Sequence, residues 1–458
     1  MVDAWRQALA SHPDTGFASY IASGLSRGFR IGYDYNKTKA RRSRRNMKVA
    51  KANAAIIDSY LQEECAAARI SCPDERRAAE AHVSPMGVIP KAHQPGRWRL
   101  IVDLSSPRAA SVNDGIAPNL CSLSYVSIDV AARKICELGT EAMMAKLDIQ
   151  SAYRHIPVCP DDRHLLGISW KCKVYLDRAL PFGSRSAPKI FSAVTDALMW
   201  IMSCRGITAG IHYWTIFYFF GRPQASECDE NLAKALSICN ELGVPVATNK
   251  LEGPTTCLTF LGLQLDSQHG IISLPAVKLQ KVKSTIAEWL TRRACTKRQL
   301  PSLIGTLHHA TSAVKAGRAF LRRLIDLAGT VKQLHYWMRI NSEARAYLWW
   351  WDAFLESWNG KSIINTLVSR PPAIQLTSDA SGSWGCGAIW RCNWFQWKWS
   401  REWEEISIAP KELLPILLAS ATWGKVWRGE IMLFRCDNQT VVLALLNRLA
   451  EIRSSCNC

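Results

Sequence analysis

Asp148 closes an apolar stretch that reads Ala145-Lys-Leu-Asp-Ile-Gln-Ser-Ala-Tyr153. A carboxylate at a strand end, followed by a turn, can hold a divalent metal or cap the next helix, and alone the cap is the plainer reading. Asp148 does not stand alone. Pro90-Lys91 and Arg97-Trp-Arg99-Leu-Ile-Val-Asp103 precede it. Leu180-Pro-Phe-Gly-Ser-Arg-Ser-Ala-Pro188, Asn249-Lys250-Leu-Glu-Gly-Pro254 and Phe260-Leu-Gly-Leu263 follow. Farther on, Thr377-Ser-Asp379, Lys411-Glu412-Leu413 and Arg435-Cys-Asp437 occur in that order. Two acids at strand ends and one on a helix are what two-metal chemistry on a phosphodiester needs. Phosphoryl transfer asks little covalent help of a protein. It asks for Mg²⁺ on convergent carboxylate oxygens and for cations that hold the phosphates.

The elements that must position these groups follow from periodicity. Residues 1–80 read as helical and peripheral, with Ile56–Arg69 at helical spacing and a basic run, Lys37–Lys51, before it. That run is a solvated face, a phosphate-binding strip or a nuclear address, and charge by itself does not choose. From 81 to 265 short apolar and β-branched stretches (Gly87–Ile89, Trp98–Asp103, Ala145–Ile149, Cys257–Leu265) alternate with the helical patterns Pro188–Ile201 and Glu227–Leu242, a mixed α+β order. Residues 266–370 are mostly helical. Ala276–Leu290 sets Val277, Ile286 and Leu290 on an apolar side and Lys278, Lys281 and Lys283 on a basic one. Leu307–Leu324 reads as a second basic helix with Lys315, Arg318, Arg322 and Arg323. His308 and His309 in it have no further ligand at metal spacing. After a break at Pro371-Pro372, strands Ala373–Ser378 and Cys386–Ile389, helix Lys411–Val426 and strand Ile431–Cys436 make a β-β-α-β unit.

The 458 residues hold 57 basic and 38 acidic side chains, a formal charge of +19, which points to an acidic polymer as partner. Sixteen cysteines are scattered without zinc-ligand spacing, the pattern of reduced thiols in a cytoplasmic or nuclear protein. Met1–Ala10 carries Asp3 and Arg6 and does not read as a secretory signal, and Leu413–Trp423 is too short to span a bilayer. The expectation is a chain neither secreted nor in a membrane.

The ordered set of motifs over roughly residues 10–450 resembles the reverse transcriptase and ribonuclease H polyprotein of DIRS-type retrotransposons, which integrate with a tyrosine recombinase. The resemblance implies an α+β right-hand polymerase (fingers, palm, thumb) followed by a ribonuclease H-like α/β domain. It divides the chain into a basic helical extension (1–80), fingers and palm (81–265), thumb and connection (266–370) and the ribonuclease H-like part (371–458). The implied activity is RNA-directed DNA polymerisation, adding dNTPs to a primer on an RNA template, with Mg²⁺ or Mn²⁺ as cofactor and an RNA–DNA hybrid as product. By position, Lys91 and Arg99 resemble the residues that grip the incoming triphosphate. Asp148 resembles the first metal ligand, Tyr153 the sugar check, and Phe182, Gly183, Ser186, Ala187 and Pro188 the template and nucleotide platform. Lys250 resembles a residue near the triphosphate and Phe260–Gly262 the primer grip. Asp379, Glu412 and Asp437 resemble three metal ligands of the ribonuclease H site.

The chain departs from the family at the second palm strand. Where the family has Tyr, a variable residue and two aspartates, this sequence reads Tyr213-Trp214-Thr215-Ile216-Phe217. The flanks and length match, both aspartates are gone, and Asp229 lies beyond the hairpin. One aspartate does not hold two metals against a triphosphate, so the expectation is a polymerase without activity. One deleted C turns TAC CTG GAC GAT TTT, coding Tyr-Leu-Asp-Asp-Phe, into codons for Tyr-Trp-Thr-Ile, and one added T restores the frame; a compensated frameshift is the expected origin. The family adds a further acid from a later helix, which Asn447–Cys458 does not supply, so an incomplete ribonuclease H-like domain is expected. Of 19 tryptophans, 13 lie from Trp337 onward, expected mostly in core and interdomain contacts.

Overall fold

A computed structural model describes residues 2–36, 45–90, 96, 98–123, 125–360, 362–363, 374–427 and 432–446. The chain divides into two compact units, Met1–Lys134 with Glu141–Leu258 and Ile135–Thr140 with Thr259–Cys458.

In the first unit, helix α1 (Ala54–Ala66) and the antiparallel hairpin β1 (Met86–Pro90) and β2 (Trp98–Val102) enclose a small core of Ile57, Leu61, Met86, Val88 and Trp170. The four-stranded sheet that carries Asp148 has β3 (Met143–Asp148) inside, flanked by β5 (Ile216–Gly221) and β6 (Glu252–Thr255), with β4 (Gly210–Tyr213) outermost beside β5. All neighbours are antiparallel, and the register sets Asp148 opposite Ile216 and Leu147 opposite Phe217. The aromatic run of β5 suits a strand covered on both faces, and Phe217, Tyr218, Phe219 and Phe220 are all buried. Helices α2 (Ala187–Cys204) and α3 (Glu227–Glu241) supply the cover, α3 lying on β5 and β3.

Among the described residues of the first 80, several are not peripheral. Trp5, Leu9, Ile21, Phe29 and Ile31 belong to the main core of this unit, with Phe191, Leu198 and Phe217. The Trp5 indole N–H donates to the Leu242 carbonyl at 3.0 Å. Trp5 and Leu9 are four residues apart on one helical face, and burying that face outweighs the polar remainder of the segment. Lys37–Ala40 and Arg41–Arg44 of the basic run lie outside the described residues.

The second unit contains helices α4 (Ala276–Thr291), α5 (Leu300–Ala310) and α6 (Ser342–Trp358), and a sheet in which β7 (Ile374–Ala380) lies between β8 (Gly385–Trp390) and β10 (Met432–Arg435), with β9 (Asn393–Lys398) beside β8. β7 pairs antiparallel with β8 and parallel with β10, and helix α7 (Ile408–Trp423) makes the crossover. Strand β9 is absent from the β-β-α-β pattern expected above: Asn-Trp-Phe-Gln-Trp-Lys has no polar alternation, because five of its six residues are exposed.

Four further expectations change. On α4 the buried stripe is Val282, Ile286 and Trp289, whereas Val277 is 78% exposed, a turn away on another face. Leu307–Leu324 is not one helix: α5 ends at Ala310, a 3₁₀ turn covers Lys315–Leu321, and a new helix starts at Arg322. Packing decides this, since Phe320 stacks on Trp350 at 4.0 Å and a Cβ on Gly317 would meet the Trp351 ring at 2.2 Å. Cys257–Leu265 is two strands, Cys257–Phe260 and Leu263–Asp266, joined through Leu261 and Gly262 at positive φ. Of the 13 late tryptophans, Trp337, Trp349, Trp358, Trp384, Trp394 and Trp397 are exposed rather than core. No described helix is long and apolar enough to cross a membrane.

Candidate functional site

Asp148 ends β3 with its carboxylate nearly buried. Its Oδ1 accepts from the Thr215 hydroxyl at 2.7 Å, and its Oδ2 accepts from Lys250 Nζ at 2.6 Å. Thr215 is there because β4 and β5 turn in two residues, Trp214 and Thr215, opposite the end of β3. Lys250 arrives from a 3₁₀ turn, Thr248–Lys250, just before β6. Each carboxylate oxygen thus has a donor, one of them an ammonium. A divalent cation needs several carboxylate or carbonyl oxygens, and a lysine at 2.6 Å competes with it for the charge. Among the described residues no three His, Cys, Asp or Glu ligand atoms gather at Asp148. The residues present do not fit a two-metal centre.

Tyr153 lies one short turn past Asp148 and is 4% exposed, packed against Phe182 (centroids 5.0 Å), Phe191 (5.3 Å) and Trp214 (6.1 Å). Burial pushes its phenol pKa up. Phe182 is exposed, and Gly183 after it has φ +102°, where an added Cβ would also meet the Val102 carbonyl at 2.8 Å. Both the backbone sign and the close approach require glycine there. Ser186 is buried, 3.3 Å from the Ser184 hydroxyl, and Ala187 and Pro188 open α2.

Asn113 was not marked by any sequence motif, yet it fixes this loop. Its side-chain N–H donates to the Gly183 carbonyl and to the Ser105 hydroxyl, both at 2.9 Å, and its carbonyl accepts from the Arg185 N–H at 2.8 Å. A lone Asn in a loop has no period and no partner residue near it in sequence, so only its burial reveals the role.

Arg99 is exposed on β2. Lys91 lies outside the described residues. Phe260 and Gly262 belong to the second unit, where the Leu261 carbonyl is 3.0 Å from His309 Nε2 and a Cβ on Gly262 would strike Lys278 Nζ at 1.8 Å. His309 thus braces a turn.

In the second unit Asp379 and Asp437 stand two residues past the paired Thr377 and Arg435, at the same end of parallel strands β7 and β10. Glu412 projects from α7 and is 5% exposed. Glu412, Cys436 and Asp437 present ligand atoms within 4.8 Å of one another. Burial, then the charges of Asp379 and Asp437, push the Glu412 carboxyl pKa up. This donor set fits a divalent cation, which would relieve that repulsion. Lys411, next to Glu412, is buried with its ammonium donating to the Gly382 carbonyl, which ties α7 to the β7–β8 turn.

A second feature without a sequence signal is a buried ion network. Arg154 Nη2 donates to Glu64 Oε2 at 2.6 Å and lies 2.7 Å from Asp177 Oδ1, off the line of a hydrogen bond. Arg69 adds two hydrogen bonds to Glu64, at 2.9 and 2.7 Å. Burial, partly offset by Arg154, pushes the Asp177 pKa up to about 6. Burial also opposes the Glu64 charge, but Arg69 and Arg154 hold its carboxyl below the usual range.

Residues 89–265 match the family model of the reverse transcriptase (RNA-dependent DNA polymerase). Protein P of heron hepatitis B virus is 25% identical over 180 residues, 37% of this chain and 21% of that protein. The chain therefore aligns with about a fifth of the length of that relative. A foamy viral protease–reverse transcriptase in complex with double-stranded DNA superposes with a TM-score of 0.58 at 16% identity, over 99% of this chain and 92% of that one. The same kind of enzyme in complex with an RNA/DNA hybrid gives 0.56 at 16% identity, over 98% and 60%. At this identity the likeness is one of fold: a mixed helix and sheet architecture of the reverse transcriptase type.

Proposed function

We propose that this chain is the reverse transcriptase and ribonuclease H-like part of a DIRS-type retrotransposon polyprotein, able to bind a primer–template but unable to extend it. Residues 81–265 serve as fingers and palm, 266–370 as thumb and connection, and 371–458 as the ribonuclease H-like domain. The observation that carries the reading is the environment of Asp148. The hairpin that should bring two more carboxylates brings a hydroxyl, and Lys250 neutralises the one acid left. Without two metals, neither the attacking primer oxygen nor the leaving pyrophosphate of a dNTP is stabilised. The basic excess of the chain remains suited to a nucleic-acid backbone.

Primer extension with Mg²⁺ or Mn²⁺ is expected to give no product beyond an Asp148→Ala control; extension above that control overturns the inactivity. An RNA–DNA hybrid is expected to bind with an affinity that falls steeply as salt rises, because phosphate contacts release counterions. A hybrid that does not bind at low salt refutes the binding half of the proposal. The frameshift origin is tested by the nucleotide sequence across Tyr213–Gly221: if one deletion and one insertion cannot realign it to a Tyr-x-Asp-Asp coding frame, that origin is wrong. A tyrosine recombinase frame in the same locus is expected of the DIRS type, and an integrase of retroviral type there would exclude it.

The acidic end of the second unit has a separate reading. Asp379, Glu412 and Asp437 would hold divalent cations that stabilise the attacking and leaving oxygens at a phosphodiester of the RNA strand. The residues themselves supply convergent negative charge, with Glu412 on the buried face of helix α7. A Glu412→Gln variant is expected to lose Mn²⁺ binding by calorimetry and any cleavage of a hybrid. Equal Mn²⁺ binding by this variant and the parent chain would rule the site out.

A further inference from the structure

The turn that lost its acids gained an aromatic ring. Trp214 is 40% exposed and sits at φ +57°, a left-handed backbone that a bulky side chain adopts only at a steric cost. Turns of this kind ordinarily take Gly, Asn or Asp. The indole packs edge-to-face with Tyr153, which also packs against Phe182, itself 43% exposed. Tyr125, 44% exposed, packs on Tyr213 at 5.2 Å, on the residue preceding Trp214. All these rings belong to the first unit. A cation stands beside them: the Lys250 side chain is 57% exposed, and its partner Asp148 also binds Thr215, the residue following Trp214. Asp148 is thus matched in charge and leaves no bare carboxylate to repel a phosphate.

We propose that Trp214, with Phe182 and Tyr125, forms a stacking platform for the unpaired bases of single-stranded nucleic acid. Exposed π faces with an adjacent lysine in a chain of +19 charge match a polyanion whose bases are free to stack. A duplex hides its base faces within its own stack, so the platform selects single strands. The proposal rests on the nucleic-acid-binding reading above and adds to it a site and a strand preference.

The test is fluorescence anisotropy of the full chain with a labelled 12-nucleotide oligothymidylate, which has no secondary structure, and with a blunt RNA–DNA hybrid. Trp214→Ala is expected to weaken oligothymidylate binding about 5- to 100-fold, the range supplied by one stacked base. Hybrid affinity should change less than about twofold by the same argument. Trp214→Asn removes the ring while suiting the left-handed turn, so it should show the same loss with an unchanged melting temperature. Trp214→Phe should keep most of the binding. Unchanged oligothymidylate binding in both ring-deleted variants overturns the platform but leaves the hybrid-binding reading standing, and so does an equal loss on both ligands. A parent chain that binds neither ligand overturns both.

Discussion

Combining Trp214→Leu, Thr215→Asp and Ile216→Asp is expected to switch on Mg²⁺-dependent primer extension in a chain that otherwise shows none. Thr215 already sits 2.7 Å from Asp148 Oδ1, so an aspartate at that position sets a second carboxylate against the first. Ile216 is the cross-strand partner of Asp148, which brings the second new acid to the same strand ends. Three carboxylates in that space repel one another until a divalent cation enters, and the cation in turn displaces Lys250 from Asp148. Metal stabilisation of transition-state charge is worth several kcal/mol, so extension should exceed the parent by about three orders of magnitude. Adding Asp148→Ala should return it to background. The variant should also melt higher with Mg²⁺ than without, which the parent should not do through this site. A triple variant that folds and binds a hybrid but does not extend would show that the turn is not the sole lesion.

The other large effect concerns stability. Arg154→Met is expected to cost roughly 3–5 kcal/mol, because it strands buried carboxylates that the guanidinium now neutralises. Glu64 keeps Arg69, whereas Asp177 keeps no cation that the network supplies. Adding Asp177→Asn to Arg154→Met should therefore recover part of the loss. The pH dependence has a definite sign. The folded pKa of Asp177 is raised from an ordinary 3.8 to about 6. Its contribution is full below the unfolded value and is lost as pH climbs through the folded one, so stability from this group declines between about pH 4 and pH 6. Glu64, with a lowered pKa, acts in the opposite sense: its contribution is present above its unfolded value and is lost as pH falls through the folded one. Urea titrations from pH 4 to 7 should show a flatter decline for Asp177→Asn than for the parent. An identical slope in the two proteins, or a loss below 1 kcal/mol in Arg154→Met, would count against the network.

The candidate residues could be picked out in the sequence by type, by order and by their resemblance to a known family's motifs: acids where metal ions would be held, lysine and arginine where phosphates would be, glycine where a loop doubles back. Asp148 at a strand end, Gly183 in its loop and the order Asp379, Glu412, Asp437 all follow from such local needs. The absence of the paired acids at Trp214-Thr215-Ile216 was equally legible, since the flanking strands keep their length. The tertiary structure decided what those residues touch. Lys250 meets Asp148 across 102 positions, Thr215 across 67, and Arg154 meets Glu64 across 90. Asn113 grips Gly183 across 70. Hydrophobic period sets a helix or strand through neighbours three, four or two residues away, so it carries no record of such pairings. The same limit explains the other differences. Trp5 and Leu9 look like a short surface helix until the core they enter is assembled, and Leu307–Leu324 looks continuous until Trp350 and Trp351 claim the space its middle would need.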